Sequence, residues 1–222
     1  MGNVLKRALK ATLPVLGGYL FLGIGFGILL YQKGYGLFYS FLMAVFIYAG
    51  SLQYAGAGFL LPGTSLLNAG WTSFLLNVRH LFYGLSMIRR YKDTGKKKPY
   101  LIFSLTDETY SVLSSPEYRE EGEDFLFFVS LFDHLYWITG CCTGSLLAES
   151  FSLSIKGFDF VLTALFLTIF VDQLFKEKDR FSSWTGLFVS LFCLILFGKE
   201  VFLIPSMVLI AVILTLKRRR ES

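Results

Sequence analysis

Apolar runs separated by short polar blocks make up most of the 222-residue chain. They cover residues 12–30, 37–61, 65–88, 99–113, 125–148, 158–175, 181–197 and 201–216. At about 1.5 Å per residue, most of these runs can form helices that approach the thickness of a bilayer core, about 30 Å. Run 99–113 is too short to do so. The pattern predicts an all-α, polytopic helical membrane protein with about six to eight membrane segments, including broken or re-entrant ones, in a single domain over residues 1–222.

Charge is concentrated between the apolar runs. The chain is 54% apolar and carries 24 phenylalanines, 21 basic residues and 16 acidic residues. A soluble domain spreads its charges over its whole surface, so this clustering indicates an integral membrane protein that faces lipid. The net charge of +5 comes largely from loops and termini, and no basic stripe interleaves with aromatic residues, so we expect no nucleic-acid partner.

The three cysteines, Cys141, Cys142 and Cys193, all lie in apolar runs. An odd number without CxxC spacing argues against a disulfide framework or a zinc site. We interpret them as small packing residues.

The basic blocks predict the orientation of the chain. Blocks at the N-terminus and at 89–98, 176–180 and 217–220 should all be cytoplasmic. Three full crossings before residue 89 would place the second block outside. All four blocks are cytoplasmic if one of the first three runs is broken or re-entrant and if run 99–113 enters the membrane without crossing it. This gives six full crossings with both termini inside. Seven simple crossings is the alternative, and it leaves at least one basic block outside.

The first run is predicted to be a membrane helix, because it is too long for a signal peptide and lacks a cleavage site. Pro14 is expected near the start of this helix, where a missing N–H does no harm. Gly23 and Gly27 form a small-xxx-small pattern that favours close approach of a second helix. In the last run, Pro205 is expected to interrupt the helix.

The second run contains glycines, a serine and a glutamine at its centre, among them Gly50, Ser51 and Gln53. Such a run is easily broken, and non-helical backbone at membrane depth is tolerated only inside protein or beside a water-filled cavity. The free amides at a half-helix start can face an anionic group of a substrate. The alternative is that these small residues serve tight packing.

The third run carries polar residues, Asn77, Arg79 and His80, at the centre of a membrane-length segment. A charge there costs roughly 2.5–3.5 kcal/mol on insertion scales, so either it lines a polar path or it is paired for assembly. On a helix, Asn77 and His80 share a stripe with Ser73 and Gly84, whereas Arg79 lies on another flank. A face suited to lipid is formed by Phe74, Val78, Leu81, Phe82 and Leu85.

The fourth run contains adjacent carboxylates, Asp107 and Glu108, which helical spacing places on one polar face with Ser104 and Ser111. Two close carboxylates can share or trade a proton, because like charges raise the pKa of one of them. The alternative is an amphipathic helix at the membrane boundary. In the fifth run, Asp133 is a possible partner for Arg79, or a residue near the water interface.

These motifs together resemble the AzlC family. The resemblance lies in Pro14 with the glycines of 23–27, in 49–54, in 77–80 and in 105–108, in that order and spacing. It covers nearly the whole chain, although no motif of the second half matches. It implies a large subunit of a bacterial branched-chain amino acid exporter, a multi-pass protein of the cytoplasmic membrane. It further implies export of valine, leucine, isoleucine and sometimes methionine, driven by an ion gradient, and a small hydrophobic partner of the AzlD type.

The residues agree with such a substrate. Arg79 and the Gly50–Gln53 break can hold the carboxylate of a zwitterion, and Asp107 or Glu108 its ammonium group. Asn77 and His80 are further candidates for substrate binding, and Asp107 and Glu108 for proton coupling. No GxxxxGK[ST] motif occurs, so we expect gradient-driven transport without a cofactor.

Two other classes of function stay open. One is a passive channel or assembly subunit, in which the charges are structural pairs. The other is an intramembrane enzyme that uses His80 with Asp107 or Glu108 as acid and base, although no HExxH or GxSxG motif supports it. We therefore expect the chain not to be an enzyme.

Overall fold

The computed structural model describes residues 2–60, 65–151 and 180–221, together with the single positions 167 and 171. The regular elements within these residues are all helical, which confirms the predicted fold class. The α-helices are α1 (Gly2–Gln32), α2 (Leu37–Phe46), α3 (Gly50–Phe59), α4 (Leu66–Met87), α5 (Lys98–Phe103), α6 (Asp107–Ser114), α7 (Glu123–Phe151), α8 (Arg180–Val201) and α9 (Leu203–Glu221). Short 3-10 helices, Gly95–Lys97 and Pro116–Tyr118, lie in the connections.

The backbone contacts divide the chain into two compact units, residues 1–161 and 162–222. The single domain over 1–222 stays a prediction. Apart from positions 167 and 171, the predicted sixth run, 158–175, lies outside the described residues.

Among the described helices, three are long and apolar enough to cross a membrane: α1, α7 and residues 181–198 of α8. Helix α4 has 22 residues and a length of about 33 Å, but its central polar residues keep it outside this group. The shorter helix α2 is also apolar. These properties agree with a helical membrane protein.

Glycines bring α1 and α7 into close contact. A Cβ atom added at Gly23 would lie 2.9 Å from the Cα of Gly140, and one at Gly140 would lie 2.9 Å from the carbonyl oxygen of Tyr19. A Cβ at Gly27 or Gly144 would overlap backbone atoms of the facing helix still more. The predicted small-xxx-small contact is confirmed, and its partner is a second pair of glycines on α7.

The prediction that Pro14 opens the first helix is wrong. Helix α1 begins at Gly2 and contains Pro14 in its interior. The preceding turns stay helical because Ala8 and Ala11 are buried in the apolar core at this end of the unit. The basic N-terminal residues are therefore part of α1.

Run 37–61 forms a hairpin of two short helices, as the predicted break implies. Helix α2 ends at Phe46 and α3 begins at Gly50, and Tyr48 between them has a φ of 43°. The hydroxyl of Tyr35 donates to the carbonyl of Leu60 at 2.9 Å, so the two ends of the hairpin meet. The chain thus enters and returns on the same side. We call residues 35–60 the first hairpin.

Run 99–113 forms a second hairpin, residues 98–114, with a break between Phe103 and Asp107. Leu101 of α5 and Leu113 of α6 both lie in the buried apolar cluster that also contains Ala8 and Ala11 of α1. The single polar face predicted from Ser104 to Ser111 is wrong. Ser104 is buried outside α6, where its hydroxyl donates to the carbonyl of Tyr100 at 2.7 Å.

The two hairpins enter from opposite ends of the first unit. The first follows the C-terminal end of α1, a helix about 46 Å long. The second lies near the N-terminal end, where Arg7 pairs with Glu121 and Lys97 with Asp124. The N-terminal and 89–98 basic blocks therefore share one end, which agrees with the predicted orientation in which neither hairpin crosses completely.

The second unit is described here by α8 and α9. Gly198, with a φ of 71°, interrupts the helical conformation near the end of α8. Pro205 lies in the first turn of α9, where its missing N–H has no helical partner to lose. The predicted interruption at Pro205 is therefore wrong, because the helix break precedes it at Phe202. The three cysteines are free.

Candidate functional site

Arg79 joins the two hairpins at the point where their inner helices begin. Its Nη1 lies 2.9 Å from Oδ2 of Asp107, the first residue of α6. Its Nη2 donates to the hydroxyl of Ser51, the second residue of α3, at 2.8 Å. The side chains of Arg79 and Asp107 are 24% and 19% exposed, so the ion pair is partly buried yet reachable. Three predicted site residues from three helices thus meet at one guanidinium group.

The start of α3 rests on Trp137 of α7. A Cβ at Gly50 would lie 3.2 Å from the Trp137 ring, so this position favours glycine. The indole N–H of Trp137 donates to the side-chain oxygen of Gln53 at 2.7 Å. Gln53 is fully buried, and its side-chain nitrogen has no hydrogen-bond partner among the described residues. We call Arg79, Ser51 and Asp107 the Arg79 cluster. Gly50 and Gln53 lie beside this cluster, and the side-chain nitrogen of Gln53 is a candidate donor.

The remaining predicted residues of α4, Asn77 and His80, contact each other. Nδ1 of His80 lies 3.2 Å from the backbone oxygen of Asn77, and its ring packs edge-on against Tyr83 at 5.9 Å. Both Asn77 and His80 are half-buried. The predicted lipid face of α4 is confirmed by the exposure of Phe74, Leu81, Phe82 and Leu85. Val78 is the exception, because it is only 8% exposed and packs inward.

The two adjacent carboxylates point to different partners. Asp107 pairs with Arg79, whereas Oε2 of Glu108 accepts a hydrogen bond of 2.9 Å from the hydroxyl of Tyr19 on α1. Burial, and then the negative charge of Asp107, raise the pKa of Glu108 above its ordinary value. The protonated form of Glu108 is thus favoured more than in a free glutamate.

Asp133 is not the partner of Arg79. It is fully buried on α7, and its Oδ2 accepts a hydrogen bond of 2.8 Å from the hydroxyl of Thr109. Its other carboxyl oxygen has no hydrogen-bond partner within the described part of the chain. None of its surface is exposed, and the alternative of a residue near the water interface stays a prediction.

The residues missed by sequence reasoning are mainly hydroxyl-bearing. Tyr19 contacts both Glu108 and Thr106, yet nothing in the sequence sets it apart from the eleven other tyrosines. The contact of Trp137 with Gln53 joins α7 to α3 and depends on tertiary structure. Among the described residues, no group of three or more histidine, cysteine or acidic side chains is placed to hold a metal ion.

Comparison with known proteins places this architecture in a family. The family model described as AzlC protein matches residues 14–151, from α1 to the end of α7. The chain belongs to the AzlC family. The matched region contains both hairpins and every residue of the Arg79 cluster, so the site described here lies within the part of the chain that defines the family.

Individual relatives cover nearly the whole chain. The branched-chain amino acid transport protein AzlC of Bacillus subtilis (strain 168) is 42% identical over 217 residues, which are 96% of this chain and 85% of the relative. An uncharacterized membrane protein of Helicobacter pylori (strain ATCC 700392 / 26695) is 39% identical over 217 residues, 97% of this chain and 95% of the relative. The inner membrane protein YgaZ of Escherichia coli (strain K12) is 26% identical over 208 residues, 90% and 84% of the two chains. No solved structure matches the chain.

Proposed function

We propose that this chain is the large subunit of a secondary transporter that exports branched-chain amino acids from the bacterial cytoplasm. The substrates are valine, leucine and isoleucine, together with methionine, and the proton gradient drives their export. The observation that carries the proposal is the partly buried Arg79–Asp107 pair between the first turns of α3 and α6. The name of the 42% identical Bacillus relative, a branched-chain amino acid transport protein, supports the substrate class.

The ion pair suits a zwitterionic substrate. Without substrate, the guanidinium of Arg79 and the carboxylate of Asp107 neutralise each other at 2.9 Å. An amino acid that enters between them gives each group a new partner of opposite charge: its carboxylate for Arg79 and its ammonium for Asp107. No charge is left unpaired during the exchange, which matters because an unpaired charge in a poorly hydrated site is costly.

The first hairpin supplies further donors for the carboxylate. Ser51 already bonds to Arg79, and the first amides of α3 have no partners within the helix. The N-terminus of a helix favours a negatively charged group, because amides and the helix dipole both point toward it. The side-chain nitrogen of Gln53, which has no hydrogen-bond partner among the described residues, belongs to the same first turn and adds a candidate donor.

Aromatic rings border the same region and suit an apolar side chain. Tyr83 and Tyr110 stack with ring centroids 4.7 Å apart, and the Tyr83 hydroxyl lies near enough to Asp107 to interact with its charge. His80 packs edge-on against Tyr83. A branched aliphatic group beside these rings would bury its surface without requiring hydrogen bonds.

The chain works, in this proposal, with a small hydrophobic subunit of the AzlD type in the cytoplasmic membrane. Large apolar side chains are exposed along α4, among them Leu66, Leu67 and Leu85. Apolar surface of this kind contacts either lipid or another hydrophobic chain. The bacterial relatives named as membrane proteins support the location, and the Bacillus relative named for transport supports a role other than catalysis.

Counterflow in proteoliposomes tests this function. Vesicles containing the purified chain with its co-expressed small subunit are loaded with unlabelled leucine, and entry of labelled amino acids is measured at equal pH on both sides. We expect labelled valine, leucine, isoleucine and methionine to enter faster than alanine or lysine. Asp107→Asn should abolish this selectivity, and Asp93→Asn, at an exposed loop position, should preserve it.

Vesicles without the small subunit provide the test of the partnership. If the large chain alone transports as fast as the pair, the small subunit is not required. If no branched-chain amino acid enters faster than alanine in either preparation, the proposed substrate class is wrong. Flux that simply follows the substrate gradient and ignores an imposed pH gradient would instead identify a passive channel.

A further inference from the structure

A continuous line of hydrogen bonds connects Glu108 of the second hairpin with Asp133 of α7. The hydroxyl of Tyr19 lies 2.9 Å from Oε2 of Glu108 and 2.6 Å from the hydroxyl of Thr106. Thr106 is in turn 3.0 Å from the hydroxyl of Thr109, which lies 2.8 Å from Oδ2 of Asp133. Four hydrogen bonds and three hydroxyl groups thus join two carboxyl groups that belong to different helices.

We propose that this hydroxyl line is a proton wire and that Glu108 and Asp133 hold the transported proton alternately. The inference rests on the proposed function, since it names the second proton-binding group of the same transporter. It assigns to Asp133 a role that the adjacent pair Asp107 and Glu108 was expected to fill alone. Tyr19, Thr106 and Thr109 become conducting groups between the two carboxyls.

The wire has two end states that balance in atoms and charge. In one, Asp133 is protonated and donates to Thr109, which donates to Thr106, then Tyr19, then ionised Glu108. In the other, Glu108 is protonated and each donor along the same line points the opposite way, toward ionised Asp133. One proton moves across each of the four hydrogen bonds, so every hydroxyl keeps one hydrogen and one bond accepted from its neighbour in the line. The net change is transfer of a proton from Asp133 to Glu108.

The capping role of Thr106 does not interrupt this line. Its hydroxyl oxygen accepts the backbone N–H of Thr109 at 3.2 Å, which fixes the first turn of α6. A hydroxyl oxygen has two lone pairs and one hydrogen, so it can accept this bond, accept a second and still donate. The cap therefore holds the oxygen in place while its hydrogen remains available to either neighbour.

The wire is shielded from water along most of its length. Tyr19 is 4% exposed and Thr106 is 7% exposed, whereas Thr109 and Asp133 have no exposed surface. Asp133 is the eleventh residue of α7 and lies about 15 Å from the start of this helix. A proton that reaches Asp133 from the second hairpin therefore travels through protein groups.

The two ends differ in what stabilises a negative charge. Glu108 lies in the first turn of α6, where the helix dipole favours an anion, and Arg79 acts on it from α4. Asp133 has the single hydrogen bond from Thr109 and no ion pair within the described residues. Because Glu108 follows Asp107 directly, a change in the Arg79–Asp107 pair on substrate binding alters the charge next to one end of the wire.

The other titratable groups around Asp133 are Tyr19 of α1, Tyr48 at the tip of the first hairpin, Tyr100 of α5 and Glu108 of α6. His134, the next residue on α7, has both ring nitrogens within 3.2 Å of other partners, the Tyr100 hydroxyl and the Ala44 carbonyl. Free tyrosines lose a proton only near pH 10. Glu108 is therefore the group that can exchange a proton with Asp133 near neutral pH.

Removal of single hydroxyls tests the wire. In proteoliposomes of the two-subunit complex, Thr109→Val keeps the side-chain shape and removes one conducting group, and Tyr19→Phe does the same at a second point. Two quantities are measured: leucine counterflow at equal pH, and leucine accumulation with internal acidification under an imposed pH gradient. Thr109→Ser restores a hydroxyl. Thr139→Val is the matched control, because Thr139 is exposed on α7 and bonds only to its own helix at Leu135.

We expect Thr109→Val and Tyr19→Phe to keep counterflow and to lose pH-driven accumulation by about 100-fold, the low end of what a positioned proton-transfer group contributes. Thr109→Ser and Thr139→Val should behave like the wild type. Wild-type accumulation in Thr109→Val and Tyr19→Phe would overturn the proton wire and leave the proposed function intact. Equal loss of accumulation in Thr109→Ser would also overturn it, because the hydroxyl would then not be the active feature. A wild-type complex that exchanges leucine but ignores the pH gradient would refute the proton coupling of the proposed function itself, and the wire with it.

Discussion

Arg79→Lys separates a functional role of the guanidinium from a purely electrostatic one. In the wild type, the guanidinium of Arg79 makes two contacts: Nη1 lies 2.9 Å from the carboxylate of Asp107, and Nη2 donates to the hydroxyl of Ser51 at 2.8 Å. A lysine keeps the positive charge but presents one compact ammonium group, which cannot reproduce two parallel contacts in different directions. We expect the variant to insert and fold, because Asp107 retains a cation beside it.

The expected loss can be estimated from the contacts. A hydrogen bond to a charged group contributes about 1.5–3 kcal/mol, and about 1.36 kcal/mol corresponds to a factor of ten. If lysine keeps the contact with Asp107 and loses the second donor, the KM for leucine should rise roughly 10- to 160-fold. In a Ser51→Ala background the substitution should cost much less, since the second contact is already absent.

The assay is initial-rate leucine exchange in proteoliposomes, with protein amount and folding checked by gel filtration. Arg89→Lys is the matched control, because Arg89 is exposed just beyond the end of α4. It should leave the KM unchanged. An unchanged KM in Arg79→Lys would refute the reasoning. The same loss with and without Ser51 would also refute it, because the loss would then not come from the second contact of the guanidinium.

Three further predictions concern packing and protonation. Gly144→Ala should lower the thermal unfolding midpoint in detergent, because the added Cβ would overlap the backbone of α1. Gly17→Ala is the control, since the space around Gly17 is open. It should raise stability by up to about 1 kcal/mol, because alanine favours a helix more than glycine does. Trp137→Phe should cost about 1–3 kcal/mol in chemical unfolding because it leaves the buried oxygen of Gln53 without its donor; no change would show that water replaces the indole. Because burial raises the pKa of Glu108, the wild type should be less stable than Glu108→Gln at neutral pH. This difference in stability should close as pH falls to about 4.3, the ordinary glutamate value. A difference that grows on acidification would contradict the raised pKa.

The broken segments were predictable from local chemistry. Glycines and a serine in the middle of run 37–61 weaken a helix, and the short run 99–113 cannot cross a bilayer. The basic blocks added the constraint that residues 89–98 return to the side of the N-terminus. The ion pairs of Arg7 with Glu121 and of Lys97 with Asp124 agree with it. Two hairpins entering from opposite ends satisfy both conditions.

The partners within the site were not predictable in the same way. Asp133 was predicted as a possible partner for Arg79, whereas the structure pairs Arg79 with Asp107. Which carboxylate meets the guanidinium depends on how the second hairpin turns at residues 104–106. That turn arises because Ser104 bonds back to Tyr100 and Thr106 caps a new helix. The same turn directs Asp107 to α4 and Glu108 to α1, so two carboxylates expected on one polar face serve different partners. Val78 was expected to face lipid but is buried. The buried side of α4 therefore includes an apolar residue in addition to its polar ones.

The central claim is that Arg79 and Asp107 separate to bind the two charges of one amino acid. Counterflow of three labelled compounds tests it most directly: leucine, leucinamide, which lacks the carboxylate, and 4-methylpentanoate, which lacks the ammonium group. The account predicts that only leucine exchanges rapidly in the wild-type complex, and that neither analogue competes with it strongly. Exchange of leucinamide or 4-methylpentanoate at the rate of leucine would contradict the account, because one of the two charges would then have no role in recognition.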